Sequence, residues 1–67
     1  MREWLEPART GKGLTQAEMA EALKITVSGY ALIERGQRQK KMRLPLVLEL
    51  SRILGIPVAK IVEYESK

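Results

Sequence analysis

Sixty-seven residues, 45% of them hydrophobic, make room for one small domain with one small core. The absence of histidine and cysteine removes disulfide staples, Cys/His zinc sites, thiol nucleophiles and the commonest general base, so neither catalytic residues, a metal nor a cofactor is expected. Twelve Lys and Arg against eight Asp and Glu leave a net charge of +4, and the excess is concentrated in Arg35, Arg38, Lys40, Lys41 and Arg43, a stretch without an acidic residue.

The start Met1-Arg2-Glu3-Trp4 lacks the apolar stretch of a signal peptide. A first helix is expected from near Glu3 to about Thr10, closed by Gly11-Lys12-Gly13. Pro7 is awkward inside it, because a helix-interior proline loses a hydrogen bond and clashes one turn back. Either the helix starts near Glu6, with Pro7 in its first turn, or it is distorted. The second helix has the clearest start: Thr15 with Glu18 three residues on makes a capping box, and Leu14 and Met19 fall at the staple positions around it. Met19, Ala20 and Leu23 form its inward stripe.

The next cap, Thr26, follows after only two residues or so, with Ile25 and Tyr30 repeating the staple spacing and Ile33 one turn on. Gly36 stands where the third helix needs a left-handed stop. Two caps with a tight connection between them predict a helix-turn-helix. Leu44-Pro45 opens a fourth helix whose inward face is Val47, Leu50, Ser51 and Leu54, and Gly55 stops it. Ile56-Pro57 opens a short fifth, to about Tyr64, carrying Ile61 and Val62. No stretch alternates with period two. The fold class is therefore all-α, five short helices in a single domain over residues 1–67. Its longest apolar run, Leu44–Leu48, is broken by Pro45 and too short for a membrane span, so a cytoplasmic protein with no membrane and no small-molecule substrate is expected. The basic stretch from Arg35 to Arg43 is either a solvated loop or a patch facing nucleic-acid phosphates, where clustered cations gain by releasing counterions.

The run from Gly13-Leu14-Thr15-Gln16 to Ile33-Glu34-Arg35-Gly36 resembles the core signature of the lambda-repressor/Cro-like (XRE-type) helix-turn-helix regulators. The likeness continues through Leu44–Leu54, Gly55-Ile56-Pro57 and Ile61-Val62, nearly the whole chain. It implies a repressor-like five-helix bundle that binds double-stranded DNA sequence-specifically, with a recognition helix at about 27–35 in the major groove. Thr26, Val27, Ser28 and Leu32 then fall at the base-facing positions, and Gln16 at the phosphate-bracing start of the second helix, where free N–H groups attract an anion. Arg35, Arg38, Lys40 and Lys41 are the remaining backbone contacts expected. Arg9 and Glu34 match a buried ion pair between the first and third helices. Ala20 matches the small residue at the helix crossing, and Lys24 stands where the turn usually has glycine. Tyr30 is expected in the core with a wet hydroxyl.

The likeness departs from the family at Val27 and Leu32, where Gln, Arg or Lys is usual. Apolar side chains there offer contact to a thymine methyl but no bidentate reading. Three functions follow from these features: a repressor-like regulator, an antitoxin or phage accessory regulator that binds DNA and a partner protein, and an interaction module that has lost DNA binding. A homodimer is expected because one recognition helix spans few base pairs. Val58, Ile61, Val62 and Tyr64 are its candidate surface.

Overall fold

The computed structural model describes residues 2–66, and the regular elements among them are five helices: α1 (Leu5–Gly11), α2 (Gln16–Leu23), α3 (Val27–Glu34), α4 (Leu44–Leu54) and α5 (Val58–Glu65). Leu5, Met19, Ala20, Tyr30, Ile33, Val47, Leu50, Leu54 and Ile61 form one buried core to which every helix contributes. α2 packs on α3, and α4 on α5.

α1 starts at Leu5 rather than near Glu3, and Pro7 is the reason. A helix entered at Glu3 would need a Pro7 N–H to bond the Glu3 carbonyl. Entered at Leu5, it puts Pro7 at the third helical position, where no N–H has an intrahelical partner. The first helical bond is then Ala8 N–H to the Trp4 carbonyl, at 3.2 Å. The proline is accommodated without distortion.

The caps follow the sequence closely. Thr15 Oγ1 accepts from Glu18 N–H at 3.1 Å, and the Glu18 carboxylate accepts from Thr15 N–H at 2.9 Å. Thr26 Oγ1 accepts from Gly29 N–H at 3.0 Å. Gly36 and Gly55 are left-handed, with φ of +76° and +67°. One staple fails: Ile25 stays 40% exposed and outside the core, so Tyr30 is not clamped from that side. At the α4–α5 corner, Ser51 Oγ donates to the Ile56 carbonyl at 2.6 Å.

Lys24 closes α2 with φ +59° and ψ +42°, a left-handed residue in the turn before α3. Ile25 N–H returns to the Ala20 carbonyl at 2.9 Å, so the turn cannot relax without opening the end of the helix. A non-glycine residue in that conformation costs roughly 1–2 kcal/mol. Part of this is offset in a glycine variant by the greater freedom of its unfolded chain. Lys24→Gly is expected to stabilise the domain by about 1 kcal/mol, a rise in Tm of roughly 4–8 °C for a chain of this size. A thermal melt by circular dichroism checks it; a lowered Tm would mean that the turn is not strained.

Candidate nucleic-acid interface

α3 is two-faced. Tyr30, Ile33 and Glu34 are buried against the bundle, while Thr26, Val27 and Ser28 lie exposed at its N-terminal end. Val27 is 47% exposed, an apolar side chain that the fold does not use. The Thr26 hydroxyl oxygen is occupied as a cap but keeps its own proton to donate. Leu32 is half-buried, and its main contribution is through the backbone: its carbonyl accepts from the N–H groups of Gln37 at 3.0 Å and Arg38 at 3.2 Å. That bond folds the basic segment back onto the end of α3.

Beneath the exposed face sits a closed polar network. Arg9 Nε lies 2.7 Å from Glu34 Oε2, and both side chains are buried. Arg9 Nη1 also donates to the Leu14 carbonyl at 2.8 Å, Tyr30 Oη to Glu34 Oε2 at 2.6 Å, and Gln16 Nε2 to Glu34 Oε1 at 3.1 Å. The Tyr30 hydroxyl is therefore dry, because a buried carboxylate is a better partner for it than water. Burial alone would push the Glu34 carboxyl up, but the hydrogen bonds from Arg9, Tyr30 and Gln16 outweigh it and hold the group below its ordinary range. Burial, and then the bond to Glu34, push the Tyr30 hydroxyl well up. The bond to Glu34, opposed by burial, raises Arg9 further.

This network joins α1, the start of α2 and the end of α3, and so fixes α3 relative to the α2 N-terminus. Gln16 is half-buried and spends one amide proton on Glu34. The other remains for an anion in front of the free N–H groups of α2.

Arg35, Arg38, Lys40, Lys41 and Arg43 are all exposed, on the segment between α3 and α4. An anchor not read from the sequence orders this segment. Arg2 is buried, and its guanidinium donates to the carbonyls of Ile33, Arg38 (3.1 Å) and Gln39 and, through Nε at 2.9 Å, to the Glu65 carboxylate. Trp4 Nε1 donates to the same carboxylate at 2.7 Å, and the Trp4 ring stacks on Tyr64 with centroids 5.3 Å apart. Gln39 is left-handed, with φ +56°, and its side-chain oxygen accepts from Arg43 N–H at 3.1 Å. The cations thus stand on backbone held from both sides. The nearest signal in the sequence is the aromatic residue close to each end, Trp4 and Tyr64; a charge at position 2 reads as solvated.

The candidate dimer surface is largely used internally. Ile61 is fully buried, a core residue unavailable to a partner. Val58 packs against the core and Tyr64 is half-buried on Trp4; Val62 alone of the four is exposed, at 52%. Among the described residues no cluster of acidic side chains could hold a metal ion, and no helix is long and apolar enough to cross a membrane.

These features agree with comparisons to known proteins. A Helix-turn-helix family model matches residues 8–61, from within α1 to the middle of α5. The chain is also similar to the uncharacterised HTH-type transcriptional regulator YqaF of Bacillus subtilis (strain 168), with 46% identity over 39 residues. That alignment covers 58% of this chain and 51% of the relative, so the chain spans about half the relative's length. No solved structure gives a significant match. An exposed helix face over a buried Arg–Glu–Tyr–Gln network, within a match that takes in α2, α3 and α4 whole, places the chain in the repressor/Cro-like (XRE-type) helix-turn-helix family of DNA-binding transcriptional regulators.

Proposed function

We propose that the domain is a repressor-like, sequence-specific regulator in the cytoplasm. α3, with Arg35 behind it, enters the major groove of double-stranded DNA; Thr26, Val27, Ser28 and Leu32 meet base edges, and Gln16, Arg35, Lys40 and Lys41 hold phosphates. The observation that carries the reading is the division of α3, with one face locked into the core and its N-terminal end left exposed, Arg38 of the basic segment lying over its first turn. Ser28 supplies a hydroxyl that pairs with either a donor or an acceptor, and Val27 suits a thymine methyl. A homodimer would read two half-sites about one DNA turn apart, and Val62 with exposed Leu44 and Leu48 is apolar surface available for it.

Selection of duplexes from a pool with a randomised core tests specificity and symmetry together. Enrichment of a palindrome with half-sites about 10 base pairs apart supports both the reader and the dimer. Ser28→Ala or Val27→Ala is then expected to reorder the affinities of selected sites more than it weakens binding to random DNA. If both variants keep the parent's ranking, α3 is not the reader. Exposed Ile25 and Val27 favour a second reading, in which this end of α3 takes a partner protein. A parent that enriches no sequence would favour that one.

A further inference from the structure

The outward face of α3 carries no long polar side chain: Val27, Ser28 and Leu32 offer one hydroxyl between them. Gly29, in the first turn of the same helix, is buried without a side chain to bury. Its cover comes from the capping Thr26 and from Arg38 beyond the helix. A Cβ built on Gly29 would lie 3.2 Å from Nη1 of Arg38 and 3.1 Å from Oγ1 of Thr26, so the Arg38 guanidinium occupies the gap that the glycine leaves.

We propose that Arg38 is a base-reading residue, whose guanidinium, laid over Gly29 in the first turn of α3, donates to O6 and N7 of one guanine. The proposal rests on α3 entering the major groove, and it separates Arg38 from Lys40 and Lys41, which remain phosphate contacts. Three observations support it. The guanidinium fork matches the two guanine acceptors in a way that the point charge of a lysine does not. Among the described residues no acceptor takes the Arg38 side-chain donors, so they are free for a base. The backbone that carries the side chain is fixed on both sides, its N–H on the Leu32 carbonyl at 3.2 Å and its carbonyl on Arg2 at 3.1 Å. Little ordering is then left for the moment of binding. The gap at Gly29 also accounts for a helix-weakening residue in a short recognition helix.

The test uses the duplex enriched from the randomised pool, together with duplexes altered at each of its guanines. Arg38→Lys and Arg38→Ala are each expected to lose on the order of tenfold to a hundredfold of the preference for guanine at one base pair, and at that pair alone. Gly29→Ala, whose methyl meets the guanidinium, is expected to blunt the same pair while its circular dichroism melt stays that of a folded domain. Arg38→Ala that weakens all duplexes equally would make Arg38 a phosphate contact and overturn the proposal; so would a variant that changes nothing. A site ranking that moves with Ser28→Ala but not with Arg38→Ala overturns the proposal and leaves the reading of α3 intact. A parent that enriches no sequence overturns that reading itself.

Discussion

Glu34→Ala is expected to destabilise the domain by about 3–5 kcal/mol, a large share of its total stability. The carboxylate is 3% exposed and accepts from Arg9, Tyr30 and Gln16 together. Removing it leaves the buried guanidinium with only the exposed Glu6 carboxylate, 4.0 Å away, in place of its close buried partner, which costs about 3–5 kcal/mol. At roughly 0.05–0.15 kcal/mol per residue, a chain of this length has about 3–10 kcal/mol in total, so the loss takes a third or more of it. Urea denaturation followed by circular dichroism reads the loss, and a midpoint close to the parent's would mean that the pair is solvated. The same network fixes the pH dependence. Glu34 is held below the unfolded value of about 4.3, so its stabilisation is present above that pH and is lost as pH falls through the folded value. Tyr30 is pushed above its unfolded value of about 10, so its contribution is present below that pH and fades as pH rises beyond it. Stability should fall on both sides of a plateau from about pH 5 to pH 10. Tyr30→Phe should flatten the alkaline limb and also weaken the acid one, because its hydroxyl is one of the donors that hold Glu34 low.

The second large effect concerns DNA affinity. Each phosphate neutralised on a duplex contributes about 0.9 to the slope of log affinity against log salt. Lys40→Ala with Lys41→Ala should therefore flatten the slope by about 1.8, twice that value. Between 50 and 200 mM salt the parent should lose roughly ten times more affinity than the double variant. Binding at low salt should weaken by a similar factor on every duplex, because phosphates are alike in all sequences. Electrophoretic mobility shifts across a salt series measure it. An unchanged slope would take Lys40 and Lys41 out of the interface.

What the sequence disclosed, and what it did not, divides by distance along the chain. The Thr15–Glu18 box, the Thr26 cap, and the stops at Gly36 and Gly55 are decided within a few residues, so local chemistry is enough to read them. The inward stripe of α4 follows from periodicity for the same reason. Pro7 was legible only as a pair of alternatives, a start near Glu6 or a distorted helix, and the start at Leu5 decides for a helix with Pro7 in its first turn. The Arg9–Glu34 pair spans 25 residues and reached the sequence reading through family resemblance, because a helical pattern says which face is buried but not which charge it meets. Ile61 illustrates the same limit: an apolar residue on a terminal helix looks equally suited to a partner or to the core, and only packing decides. Arg2 lay beyond both routes, since its partner Glu65 is 63 residues away. Gly29 is a helix-weakening residue by propensity, and the reason for it lies in the segment after α3, whose Arg38 lies across it.

The clasp of Arg2 and Trp4 on Glu65 has a kinetic consequence. α2 and α3, like α4 and α5, are neighbours in sequence and close at small entropic cost, whereas the clasp must close nearly the whole chain as one loop. It should be the last part of the molecule to assemble and the first to open, as a sub-global fluctuation that leaves the α2–α3 pair standing. Opening also withdraws the donors that hold the carbonyls of Arg38 and Gln39. Amide hydrogens from Arg35 to Arg43 should then exchange at the rate set by the chain ends, rather than at the slower rate of the core. The order of the basic segment would be timed by Arg2 and Glu65, 63 residues apart.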